Sequence, residues 1–129
     1  MRSSLSQRFA LDTAHIVAEY GMTELSSQLY ENTLRASLQG EVPSARRLIG
    51  PPWLRVTVLD PERLTPLPEG REGLVRIDDA ANLDSVSAIQ TADVGVIEGG
   101  GLQLIGRAQG AVARGCSIRA DELLGEPHP

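Results

Sequence analysis

Lysine is missing from the chain. All twelve basic side chains among its 129 residues are arginine, so no lysine-dependent catalysis can come from it. Cysteine occurs once, at Cys116, which excludes an internal disulfide and suits a reducing compartment. The two histidines, His15 and His128, stand too far apart in sequence to suggest a metal cluster. Aromatic side chains are limited to Phe9, Tyr20, Tyr30 and Trp53, so little area is buried per residue and marginal stability is expected. The net charge is −5 and no basic stripe is present, which argues against a nucleic-acid partner. No apolar run approaches the roughly 20 residues that a membrane span needs. The first ten residues, Met1 to Ala10, lack the apolar core of a signal peptide. These absences predict a soluble, cytoplasmic protein.

The residues that are present predict an α/β start followed by a mainly antiparallel β portion. Ser3 or Ser4 could cap a helix running towards Leu11, with Leu5, Phe9 and Ala10 on one side. His15 to Tyr20 reads as a strand stopping at Gly21, with no evident partner of its own. Thr23 to Leu29 reads as a short helix or a loop. Between Glu31 and Pro52, Pro43, Gly50, Pro51 and Pro52 predict an irregular connection. The clearest strand is Trp53 to Leu59, whose alternation places Leu54, Val56 and Val58 on one face. Asp60-Pro61 ends it, and Pro66, Pro68 and Gly70 make turns before a second strand at Gly73 to Ile77. Two more strands fit Val94 to Ile97 and Leu102 to Ile105, and Glu98-Gly99-Gly100-Gly101 reads as their hairpin turn. Ser117 to Leu124 could form a short terminal helix.

Three blocks carry a resemblance: Glu19-Tyr20-Gly21-Met22-Thr23-Glu24, then Thr91-Ala92-Asp93, then Gly106-Arg107. In this order they resemble the adenylate-forming superfamily, which includes acyl-CoA synthetases and luciferases. The stretches Trp53-Leu54-Arg55-Val56, Ala81-Asn82-Leu83-Asp84-Ser85 and Arg114-Gly115-Cys116-Ser117 narrow it to the acyl-protein synthetase (LuxE-type) family. Together the stretches run from about residue 15 to 124.

The resemblance implies a C-terminal fragment of an adenylate-forming enzyme fold. Residues 1–106 would be the C-terminal part of the large adenylating domain, and residues 107–129 a hinge and short C-terminal segment. It also implies ATP and Mg²⁺. Tyr20 would lie against the adenine, and the Gly21-Met22 turn would bring backbone close to the nucleotide. Thr23 would bond the phosphate and Glu24 would hold Mg²⁺, a hard cation that takes oxygen ligands. Asp93 would accept both ribose hydroxyls, which suits the two acceptor oxygens of a carboxylate. Arg107 would lie near the ribose or phosphate at the hinge between domains. Thr23, Glu24 and Cys116 are then the catalytic candidates. In that family the acyl group is carried as a thioester near the C-terminus, where Cys116 stands.

Each feature also has a plainer reading. Tyr-Gly-Met-Thr-Glu can be a strand end and a helix start with Thr23 as its N-cap, and Asp93 and Arg107 can be surface charges. A single cysteine is more often an inert small hydrophobe. Against that, Arg114 could lower the Cys116 pKa, and Gly115 frees the backbone for close approach.

The chain also departs from the superfamily pattern. The Ser/Thr/Gly-rich phosphate loop expected upstream of Tyr20 has no counterpart, and most of the acyl-pocket domain is missing. Gln109 stands where many relatives have an Asp or Lys hinge residue, and the late catalytic lysine is absent. The leading expectation is therefore part of a fatty-acid ligase forming acyl-AMP and then a cysteine thioester, incomplete as a catalyst alone. Its partners would be the fatty acid and either an acyl-reductase partner or a separate N-terminal half. The competing expectations are a non-catalytic remnant or nucleotide-binding module, and a small β-rich interaction domain with accidental matches.

Overall fold

The computed structural model describes residues 1–42 and 45–110. Its centre is one seven-stranded sheet in which every neighbouring pair is antiparallel, in the order β1-β2-β3-β7-β6-β5-β4. The strands are β1 (Glu19–Tyr20), β2 (Leu29–Glu31), β3 (Leu48–Ile49), β4 (Leu54–Leu59), β5 (Gly73–Asp79), β6 (Ala88–Glu98) and β7 (Gly101–Arg107). Two short helices, α1 (Arg2–Phe9) and α2 (Thr33–Leu38), and a 3₁₀ turn at Thr13–His15 complete the framework. The mainly antiparallel expectation holds.

Strands β4 to β7 form a meander whose alternation is visible in burial. On β5, Gly73, Val75, Ile77 and Asp79 point inward and Arg76 outward. The β6–β7 connection is a two-residue hairpin, with Glu98 opposite Gly101 and positive φ at both Gly99 (54°) and Gly100 (73°). Two consecutive positive φ values fit a turn whose twist matches the flanking strands, and glycine adopts them without a Cβ penalty. The Trp53 to Leu59 expectation is met from Leu54 onward, and Leu54, Val56 and Val58 face inward. Leu59 is buried as well, beneath the loop that carries Pro66 back onto it.

The first half differs from the sequence expectation in three places. The strand expected over His15 to Tyr20 shrinks to Glu19–Tyr20, because Asp12 accepts from the Ala14 amide and winds Thr13–His15 into a 3₁₀ turn. It does have a sheet partner, β2, with Tyr20 opposite Leu29. The stretch from Glu31 to Pro52 contains α2 and β3. Asn32 organises it by donating its backbone amide to the Arg47 carbonyl and accepting the Arg47 amide with its side-chain oxygen. Finally, α1 starts at Arg2 with Met1 in the N-cap position, so neither Ser3 nor Ser4 caps it.

Burial does not secure α1, since Leu5 and Phe9 are exposed. Charge does: Arg2 donates to Glu31 through both guanidinium nitrogens, and Arg46 donates to the same carboxylate and to the carbonyl oxygens of Ile16 and Thr13. Burial pushes the Glu31 carboxyl up, but the bonds from Arg2, the Ala18 amide and Arg46 outweigh it and hold the pKa below the ordinary glutamate value.

The core comprises Leu29, Leu48, Leu54, Val75, Ile77 and Leu102, with Tyr20, Met22, Leu25, Val56 and Leu104 packed against it. It draws on β2, β3, β4, β5 and β7, so the sheet curls until its two ends share one interior. At Gly50 the fit is tight enough that a Cβ would sit 2.9 Å from Leu54 and 3.5 Å from Leu29. That curl brings β1 back towards β6.

Candidate functional site

β1 and β6 are four strand steps apart in the sheet, about 19 Å if it were flat. The Tyr20 hydroxyl nevertheless donates to Asp93 Oδ2 at 2.6 Å. The other oxygen, Oδ1, faces Arg107 Nε at 3.2 Å. Asp93 and Arg107 are direct cross-strand partners, so the ladder itself sets their pairing. Tyr20 arrives by the curl.

Local backbone irregularity aims Asp93. The β5–β6 register shifts between Leu74 and Arg76, and the β6–β7 register shifts between Val94 and Gly95. Thr91, Ala92 and Asp93 therefore lie in a bulged stretch of β6, where an extra residue bends the strand and redirects a side chain. Thr91 holds the bulge: its hydroxyl donates to the Val75 carbonyl and accepts from the Asp93 amide. Gly95 permits the close approach beside it, since a Cβ there would meet Leu102 at 2.8 Å and the Gln103 carbonyl oxygen at 2.9 Å. Burial raises the Tyr20 phenol well above the ordinary tyrosine pKa, and its bond to Asp93 and the charge of that carboxylate raise it further. Tyr20 is therefore a neutral donor at physiological pH.

Thr23 and Glu24 lie on the loop that leaves β1 directly after Tyr20. Both are exposed, and the Thr23 hydroxyl donates to Glu24 Oε2 at 3.1 Å. No helix follows, so the reading of Thr23 as an N-cap fails. Gly21 makes the turn, where a Cβ would come within 3.0 Å of Gln28, and Met22 packs on the core. The structure thus joins Tyr20, Asp93 and Arg107 directly and pairs Thr23 with Glu24 on the neighbouring loop. Cys116 and the expected Ser117 to Leu124 helix lie outside the described residues.

Sequence reasoning missed the residues that hold this loop. Asp79 is fully buried at the end of β5. Its Oδ2 accepts from the Ser26 and Ser27 amides (3.1 and 2.9 Å), and its Oδ1 accepts from the Ser27 hydroxyl and the Ala81 amide (both 3.0 Å). Asn82 accepts from the Ser26 amide at 2.8 Å and donates to the Glu24 and Val86 carbonyls. Trp53 Nε1 donates to the Ser27 hydroxyl at 2.9 Å. Burial pushes the Asp79 carboxyl up, but these donors outweigh it and hold it below the usual aspartate value. A signal was present, because the alternation of β5 puts Asp79 on the same inward face as Val75 and Ile77.

A cavity of about 950 Å³ opens elsewhere, between α2, β3 and Trp53, lined by residues such as Tyr30, Arg35, Ile49 and Gly50. Ser26 and Ser27 of the β1–β2 loop line it too, but among the described residues none of the site residues named from the sequence does. Among the described residues, no group of three or more acidic, histidine or cysteine side chains could hold a metal ion, and no helix is long and apolar enough to cross a membrane.

No protein-family model matches the chain. It is similar to the long-chain-fatty-acid–luciferin-component ligase of Vibrio harveyi, with 29% identity over 81 residues, covering 57% of this chain and 21% of that protein. Two solved structures share its architecture over 83% of its length. The luciferase-like enzyme of the nonluminescent mealworm Zophobas morio matches at TM-score 0.55 and 20% identity, with 28% of that chain covered. The amide bond synthetase McbA of Marinactinospora thermotolerans matches at TM-score 0.53 and 21% identity, with 24% covered. The chain spans under a third of the length of each of these proteins. With its curled antiparallel sheet and few helices, this chain is built on part of the adenylate-forming enzyme fold.

Proposed function

We propose that this chain supplies the nucleotide-facing surface of an AMP-forming acyl ligase of the acyl-protein synthetase type. Such an enzyme activates a long-chain fatty acid as acyl-AMP and passes the acyl group to a cysteine thiol. The observation that carries the reading is the convergence of Tyr20 and Arg107 on Asp93, from a strand four positions away and from its ladder partner.

The donor set suits the ligands the fold implies. Among the described residues, Tyr20 meets one Asp93 oxygen and Arg107 the other, and a carboxylate oxygen with one partner retains acceptor capacity, which matches two vicinal ribose hydroxyls. The half-buried Tyr20 ring, beside the Gly21 turn, offers a face for adenine. Arg107 offsets the charge of Asp93 where a nucleotide brings more negative charge. The exposed Thr23 hydroxyl, which donates to Glu24 here, would turn to phosphate once Mg²⁺ takes that carboxylate, and Glu24 belongs to no cluster of three or more such groups among the described residues. One carboxylate is enough for Mg²⁺ that takes its other ligands from phosphate oxygens and water. When bound, the ion neutralises phosphate charge.

Cys116 is the acceptor in this reading. Its thiolate attacks the acyl-AMP carbonyl, the thioester forms, and AMP leaves with the bonding electrons. Residues 1–106 then belong to the large adenylating domain and residues 107–129 to the hinge and end segment. The remainder of the fold, the acyl pocket included, comes from further polypeptide. An acyl-reductase partner would take the product, and the single cysteine suits work in the cytoplasm.

The test bypasses the upstream chemistry. The purified chain is mixed with a synthetic long-chain acyl adenylate and its intact mass recorded, beside Cys116→Ser. A hydroxylamine-sensitive acyl addition on wild type alone is expected. A folded wild-type chain that gains no mass removes the acceptor role and favours a non-catalytic nucleotide-binding module.

A further inference from the structure

We propose that Asp79 and Asn82 are positioning residues for the Thr23–Glu24 loop, holding its backbone in the form that meets a nucleotide phosphate. The proposal rests on the nucleotide reading above and adds the residues that set the phosphate-side geometry.

In the loop between β1 and β2, Met22 and Leu25 pack on the core, while Thr23, Glu24 and Ser26 are exposed and need other contacts. Ordering such a segment costs backbone entropy that contacts must offset. Here the contacts come from one buried carboxylate and one buried amide. Asp79 takes the Ser26 and Ser27 amides and the Ser27 hydroxyl, while Asn82 takes the Ser26 amide and donates to the Glu24 carbonyl. The polar anchorage holds the loop through its backbone and Ser27, so the Thr23 and Glu24 side chains, bonded to each other, take no part in it. Trp53 locks the orientation of the Ser27 hydroxyl by donating to it, so that the hydroxyl proton goes to Asp79.

The chemistry of the pair is specific. Among the described residues, every hydrogen bond to the Asp79 carboxylate comes from a donor, so the ionised form satisfies all of them without a cation. Asn82 must both accept and donate, which an aspartate there could not do. Adenosine, lacking phosphate, would rely on Tyr20 and Asp93 and not on this loop, which separates a positioning role from a general structural one.

The experiment uses the full chain as wild type, Asn82→Ala and Asp79→Asn, with two readouts. Amide hydrogen exchange compares residues 24–28 with strands β4 to β7, and titration compares Mg·ATP with adenosine. Asn82→Ala should speed exchange at Ser26 by about tenfold and leave the strands unchanged. It should weaken Mg·ATP by about tenfold and leave adenosine within about twofold. Loop exchange that does not change, exchange that rises equally in loop and strands, or equal weakening of both ligands overturns the proposal. Asp79→Asn should act in the same direction, and Asn82→Ala carries the test if that variant does not fold. A wild-type chain that binds neither ligand refutes the nucleotide reading and with it the phosphate-side role. The exchange arm then still decides whether the two residues hold the loop.

Discussion

Tyr20 and Asp93 lie 73 positions apart in the chain, yet the hydroxyl of one donates to the carboxylate of the other at 2.6 Å. The contact exists because the sheet curls and because the bulged stretch of β6 redirects Asp93. Its consequences reach both stability and ligand recognition.

The first concerns alkaline pH. The Tyr20 phenol titrates above its unfolded value, so the stability it contributes is fully present below about pH 10. That contribution is lost as pH rises through the higher folded value. Lysine, which would otherwise titrate in this window, is absent from the chain. Tyr20→Phe should cost about 1 kcal/mol at neutral pH and flatten the alkaline limb of urea-unfolding stability. An alkaline limb as steep as wild type in that variant would show that the contact does not form in solution.

At acid pH the sign reverses. The Asp79 carboxyl titrates below its unfolded value, so its contribution is present above about pH 4 and disappears as pH falls through the folded value. Glu31 and Asp60 shift in the same direction and share the acid limb. Asp79→Asn should lose about 3 kcal/mol at pH 7, because its single NH₂ must face either the Ser26 and Ser27 amides or the Ala81 amide and Ser27 hydroxyl, all of them donors. It should also make the acid limb shallower in urea titrations across pH 2–7. A cost within about 0.5 kcal/mol of wild type contradicts the four-donor arrangement.

Two glycines on the meander should behave oppositely. At Gly73 a Cβ would run into the Leu59 carbonyl oxygen, which is backbone and cannot move aside. Gly73→Ala should therefore cost about 2 kcal/mol. Gly99 has open space and a positive φ that asparagine tolerates, so Gly99→Asn should be neutral or stabilise by about 0.5 kcal/mol. Thermal unfolding of both variants checks the contrast, and equal effects would argue against the hairpin register.

For the proposed nucleotide site, Asp93→Asn should weaken adenosine by about tenfold, through loss of charge-assisted bonds to the ribose. The variant should also lose wild-type discrimination against adenosine lacking both ribose hydroxyls. Calorimetric titration of both ligands checks this. Equal binding of the two by wild type would remove Asp93 from ribose recognition.

The site was legible only in part. Tyr20, Asp93 and Arg107 were marked by three short blocks in order, but the hairpin that the glycines predict would alone set Asp93 opposite Gly106, and the register shift between Val94 and Gly95 moves it to Arg107. The Asp79 and Asn82 anchorage was not recognised, because their partners are mostly backbone amides and carbonyls. Such groups are identical in every residue and leave no mark in a sequence.

Local chemistry determined the meander on its own. Alternating apolar residues specify β4 to β7, and paired glycines specify the hairpin, because side-chain period and φ preference act over a few residues. Low apolar density left the first half ambiguous. There Asn32 and Arg47 build α2 and β3, and Glu31 holds α1 through ion pairs, all by contacts between distant positions. The curl that carries Tyr20 to Asp93 is a property of the whole sheet. It follows from burying both ends of seven strands around one core, and only the tertiary structure could decide it.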